Sequence, residues 1–73
     1  MDDPLRSDVK SALEIIRQSG HDLGALFDRR EVELEKLPPP AGYYCGFIEG
    51  VALSLDLTVL ELLDELGLDL AGR

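Results

Sequence analysis

The segment Leu57-Thr58-Val59-Leu60-Glu61-Leu62-Leu63-Asp64-Glu65-Leu66-Gly67 spells out both ends of one helix. Thr58 and Glu61 form a capping box, in which each side chain satisfies a backbone N–H that the first helical turn leaves without a partner. Leu57 before the cap and Leu62 at the fourth helical position supply the accompanying hydrophobic staple. Val59, Leu60, Leu62, Leu63 and Leu66 then read as the face turned to a core, with Glu61, Asp64 and Glu65 as an acidic outer stripe. Gly67 closes the helix, because glycine takes the left-handed conformation at no steric cost.

Upstream, the spacing predicts a helix over about 43–55. Tyr44, Phe47, Ile48, Val51 and Leu55 share one arc of it, with Tyr43 and Ala52 at the margins. Gly46 and Gly50 stand one turn apart beside that arc. Each costs roughly 1 kcal/mol against alanine inside a helix, a cost that close approach of a second backbone would offset. Cys45 falls away from the apolar arc. Before this helix, Pro38-Pro39-Pro40 makes a stiff connector over 38–42, since each ring removes a donor and biases its predecessor toward extended geometry. A further helix is predicted over 22–37, capped by Asp22 and lined by Leu23, Leu26, Phe27, Leu34 and Leu37. The first helix, about 4–18, opens at Asp3-Pro4 and ends at Ser19-Gly20. Leu5, Val9, Ala12, Leu13 and Ile16 line its inner face, opposite Arg6, Lys10, Glu14 and Arg17. The apolar phase also runs on through Gly20, so one bent helix over 5–37 remains open. No segment alternates with a period of two, and an all-α, compact bundle of three to four short helices follows.

The 73 residues amount to one small domain. A core of that size rarely supplies more than about 3–5 kcal/mol. Neither a disulfide nor a metal can assist, because Cys45 and His21 are each the only residue of their kind. Association with a second copy or with a target is the remaining aid. The start Met1-Asp2-Asp3-Pro4 lacks signal-peptide character, and the apolar run Val51 to Leu63 is broken by Ser54, Asp56, Thr58 and Glu61. A cytoplasmic protein away from the membrane is expected.

Charge is the most uneven property of the chain. The net charge is −8, and between Leu37 and Gly72 there is no Lys, Arg or His against Glu49, Asp56, Glu61, Asp64, Glu65 and Asp69. Such a field attracts basic surfaces and repels nucleic acid and anionic membrane.

The stretch Ile48-Glu49-Gly50-Val51-Ala52-Leu53-Ser54-Leu55-Asp56-Leu57-Thr58-Val59-Leu60-Glu61-Leu62-Leu63 resembles the end of phage-repressor-type (Xre/Cro-like) helix-turn-helix domains. Those close with an A-x-x-L helix, a short turn and a capped helix containing E-L-L. The resemblance implies a repressor-like fold whose DNA-reading half would lie in residues 20–45. There Pro38-Pro39-Pro40 occupies the ground of a recognition helix, and no DNA-contact residue carries over. The segment Tyr43-Tyr44-Cys45-Gly46-Phe47-Ile48-Glu49-Gly50, after the charged run Arg29 to Leu37, is also similar to small phage-encoded helical proteins. Together these likenesses imply a phage or mobile-element origin.

Seven residues stand out for partner binding: Arg30, Tyr43, Tyr44, Asp56, Glu61, Asp64 and Glu65. Arg30 falls inside the apolar arc of the predicted 22–37 helix. It is either a contact guanidinium or an aliphatic stem lying on the core, with its head in water or paired with Glu33. Tyr43 and Tyr44 diverge by about 100° on a helix, so one packs inward and the other is exposed. The carboxylates either mimic a phosphate row, dock on a basic protein, or form a merely solvated face. Cys45 has no adjacent base, and neither a phosphate-binding loop nor a calcium loop is present, so no catalytic residue, cofactor or metal is expected.

These features favour a non-enzymatic, acidic protein-binding regulator or inhibitor that docks on another protein's basic surface. Transcription machinery, meaning RNA polymerase or a nucleic-acid-binding protein, is the first partner to consider. A homo-oligomeric assembly protein using the Gly46/Gly50 face, down to a homodimer, is one alternative. A degenerate helix-turn-helix DNA-binding regulator is another, opposed by the charge because phosphate contacts need Lys and Arg.

Overall fold

The computed structural model describes residues 3–70; residues 1–2 and 71–73 lie outside it. Three α-helices, α1 (Asp3–Gln18), α2 (Ala41–Ser54) and α3 (Val59–Glu65), pack around one apolar core, and no strand occurs among the described residues. Val9, Ala12, Leu13 and Ile16 of α1 meet Cys45, Ile48 and Ala52 of α2 and Val59, Leu62 and Leu63 of α3 in that core. None of the described buried side chains is polar or charged. Pro4 falls in the first turn of α1, where its missing N–H has no helical partner to lose. The expected Asp3 capping carboxylate is outside the described side chains.

Gly20, with φ 91°, ends the first helical run, which removes the single bent helix over 5–37. The helix expected over 22–37 also does not form as one element. Asp22 starts it, its Oδ1 accepting the Gly24 N–H at 3.0 Å. One wide π-type turn over Gly24–Asp28 then carries Leu26 and Phe27 into the core. Arg30 turns left-handed (φ 53°), and the Glu31 N–H closes the turn on the Ala25 carbonyl at 2.8 Å. A 3-10 turn over Leu34–Lys36 follows, and Leu34 and Leu37 pack on the core only at its edge.

The cause lies in the phase of the sequence. Continued helix would set Arg30 three residues past Phe27 and four before Leu34, on the inward face. Burying an uncompensated guanidinium costs several kcal/mol, more than a run with Val32 as its one apolar residue can return. Breaking the helix lets Arg30 leave the core.

The connector reaches only to Pro40, across a cis Pro39–Pro40 bond, and α2 begins two residues earlier than the spacing suggested. Its inner face is rotated relative to expectation. Ala41, Cys45, Ile48 and Ala52 are buried, Tyr44, Phe47 and Val51 are half-buried, and Leu55 is out. The small side chains Ala41, Cys45 and Ala52 therefore sit on the packed side of α2. Gly46 and Gly50 point away, and an added Cβ on either would meet nothing within 4 Å. The close approach instead falls at Gly42, where a Cβ would collide with the Leu37 carbonyl oxygen.

The capping box of α3 is complete, the Glu61 N–H donating to Thr58 Oγ1 at 3.1 Å and the Thr58 N–H to Glu61 Oε1 at 2.9 Å. Leu66 and left-handed Gly67 (φ 69°) end the helix, with Leu68 N–H bonded to the Leu63 carbonyl at 2.8 Å. Arg6 Nε donates to the Leu66 carbonyl at 2.9 Å, tying α1 to the negative end of α3. Leu60, expected in the core, is exposed.

Thermal melts of dilute protein followed by circular dichroism test this arrangement. Thr58→Ala should cost about 1 kcal/mol through loss of the box, a fall of about 4–8 °C in a domain this small. Gly42→Ala should also destabilise, while Gly46→Ala in the same helix should stabilise by roughly 1 kcal/mol. Equal shifts from the two glycine variants would contradict their placement.

Candidate functional site

The carboxylates of the anionic half have separate fates, set by where each element leaves them. Glu61 is held by its own cap. Glu49, on the flank of α2, has Arg30 Nη1 3.8 Å from its Oε1. Asp69 lines a cleft of about 250 Å³ with Arg6, Lys10 and Arg17 of α1. Asp56, Asp64 and Glu65 are exposed, and no ion pair among the described residues reaches them. Arg29, which could have neutralised this flank, is spent elsewhere: its Nη2 binds Asp22 at 2.7 Å and its Nε lies 3.2 Å from Glu31. The Arg29 guanidinium, with the Gly24 N–H, holds the Asp22 carboxyl below its ordinary range.

Asp64 and Asp69 line an open depression of about 560 Å³ together with Leu60, Leu63, Gly67, Leu68 and Leu70. Anionic and apolar surface are thus adjacent on α3, a combination suited to a side chain with an aliphatic stem and a cationic head. The exposed Leu60, which the spacing alone places in the core, forms part of this depression. Its only signal was that five apolar positions crowd a helix of barely two turns, more than one face can hold. Asp56 is also more constrained than a surface carboxylate. Its φ of 60° makes it the left-handed residue closing α2, with the Leu57 N–H bonded to the Ala52 carbonyl at 2.9 Å. Aspartate tolerates that region better than most residues.

Arg30 and the adjacent tyrosines Tyr43 and Tyr44 each have surroundings of their own. Arg30 lies exposed in a cleft of about 640 Å³ between the segment Val32–Glu35 and Gly42, Gly46 and Glu49 of α2. Its expected partner Glu33 pairs with Lys36 instead, at 3.0 Å. Tyr43 is 71% exposed and Tyr44 half-buried, their rings edge to face with centroids 5.0 Å apart. Tyr43 begins the outward face of α2, whereas Asp56 follows its end; at about 1.5 Å per residue the separation is roughly 20 Å. The seven residues singled out from the sequence therefore do not form one patch.

Cys45 is fully buried, not turned away from the core. Burial above all, and then the Glu49 carboxylate, push its thiol up to about 11. No group of three or more His, Cys, Asp and Glu among the described residues is arranged to hold a metal. No helix among them is long and apolar enough to cross a membrane. No protein-family model, curated protein or solved structure matches the chain.

The thiol provides a test of the packing. An exposed thiol ionises near 9.0 and Cys45 in the fold near 11, so the folded state retains a proton that the unfolded state releases. This stabilisation is complete below pH 9 and lost as the pH rises through about 11. The stability difference between the native chain and Cys45→Ala, from urea denaturation, should therefore shrink across that window. A thiol reagent should react with Cys45 only after unfolding; equal rates in the native and unfolded states would contradict its burial.

Proposed function

We propose that the protein is a non-enzymatic, acidic docking module that binds a basic, amphipathic surface of another protein through the outer side of α3. The observation that carries this reading is that Asp64, which no ion pair among the described residues reaches, shares one depression with Leu60, Leu63, Leu68 and Leu70. Charge alone yields steering and weak affinity, and apolar surface alone yields little selectivity; together they give a site both attraction and contact energy. Glu65 and Asp56 extend the negative field beyond the rim. A regulator or inhibitor of transcription is the specific form in which this chemistry would act, with RNA polymerase the first partner to test. The helix-turn-helix and phage-protein resemblances favour that choice. Direct binding to nucleic acid is opposed by the net charge of −8.

The acidic side chains are not interchangeable in a test. Glu61 holds the cap, so its reversal would damage α3 itself. Asp56 occupies a left-handed position where Asn is the tolerable replacement. Asp64→Lys with Glu65→Lys alters the flank and leaves the fold alone. In titrations of purified RNA polymerase with labelled chain, this pair should abolish binding, and Leu60→Ser should weaken it. Native binding should fall as salt rises from about 0.1 M to about 1 M, where the screening length drops from about 10 Å to about 3 Å. A folded Asp64→Lys, Glu65→Lys chain that binds as tightly as the native one would exclude this site.

A further inference from the structure

We propose that the cleft between the Val32–Glu35 segment and α2 is a binding site for a free α-amino acid with an aliphatic side chain. The cleft measures about 640 Å³, inside the range of about 300–1,000 Å³ typical of small-molecule sites. Its apolar lining comes from Leu26, Val32 and Leu34. Gly46 lines it from α2 without a side chain, and a Cβ there would meet nothing within 4 Å, so the space beside the helix is open to a ligand. Two opposite charges stand together in the same lining. Arg30 Nη1 is 3.8 Å from Glu49 Oε1, too far for a hydrogen bond, so each group keeps its bonding capacity for a ligand.

The charges select the ligand. A simple anion would meet Arg30 but also Glu35 and Glu49, and a simple cation would meet those carboxylates but also Arg30. An α-amino acid carries both signs on one carbon, with its nitrogen and carboxyl carbon on the order of 2.5 Å apart. Its carboxylate takes the Arg30 guanidinium and its ammonium the Glu49 carboxylate, so that four charges alternate in sign. Glu33, the remaining acid of the lining, is occupied by Lys36 at 3.0 Å. The guanidinium also starts from a fixed point of the backbone. On either side of it the Arg29 N–H donates to the Gly24 carbonyl and the Glu31 N–H to the Ala25 carbonyl, each at 2.8 Å. Arg30 holds this place in a left-handed conformation (φ 53°) that arginine adopts at a cost. Glycine would close the same turn without that cost, so the turn itself does not call for a guanidinium.

Titration of the isotope-labelled full chain with leucine, followed by amide chemical shifts, is the test. Saturable shifts at Arg30, Val32, Gly46 and Glu49 are expected, with a dissociation constant on the order of 1 mM for so small a ligand. The amides of Asp64 and Glu65 should not move, so this site and the docking site on α3 can fail independently. N-acetyl-leucine, which lacks the ammonium, and leucinamide, which lacks the carboxylate, should each bind at least about tenfold more weakly. Arg30→Gly should abolish binding while the melting temperature holds or rises, because glycine suits the left-handed position. Gly46→Leu should abolish it as well, by filling the cleft with a side chain that favours the helix. Absence of any shift up to the solubility of leucine would overturn the proposal. So would equal binding of N-acetyl-leucine, the mark of a plain anion site, or of leucinamide, the mark of a plain cation site. A folded Arg30→Gly chain that binds leucine as the native one does would overturn it too.

Discussion

Charge cannot be left inside a core this small. Fourteen buried apolar residues form the shared cluster, and no buried polar side chain accompanies them among the described residues. Each of the charged side chains must therefore find an outlet, and the backbone bends to provide it. The segment between Phe27 and Leu34 shows the rule at work. Helical phase would carry Arg30 inward, so the chain opens into a wide turn, a left-handed residue and a short 3-10 turn. Stabilisation from Leu26 and Phe27 is retained while the guanidinium reaches water.

The same constraint shapes the helix ends. Gly20, Arg30, Asp56 and Gly67 are the described residues with positive φ, and each closes a helical segment. Two are glycines, for which the conformation carries no steric cost; the other two are charged residues that accept some strain where the chain must reverse. Arg6 contributes differently, its guanidinium satisfying the Leu66 carbonyl across 60 positions of sequence. A single cation thereby couples the first helix to the last, and no ion pair among the described residues reaches Asp64 or Glu65 of α3.

Two surfaces of different character result. Beside α3, Asp64 shares an open depression with Leu60, Leu63, Leu68 and Leu70, and the arc of α2 opposite its buried face carries no charged residue. The proposed function assigns the first to a partner of opposite charge.

Local signals were sufficient for much of this. The capping box at Thr58 and Glu61, Gly67, Gly20 and the apolar face of the first helix all act within one or two turns, and each appears as read. The absence of cations after Leu37 likewise needed no fold to be seen. What required tertiary structure was every choice between two faces of similar hydrophobicity. Because α2 is apolar nearly all round, its composition could not say that Ala41, Cys45 and Ala52 would turn inward and Gly46 and Gly50 outward. In α3, with four apolar positions and Leu66 at its cap, the packing left Leu60 out. The position of Arg30 within an apolar arc was visible as a conflict; its resolution, a broken helix, depended on the core having no site for a charge. Local hydrogen bonding and propensity determine where helices begin and end, but which side of each is buried is settled by the shape of what packs against it.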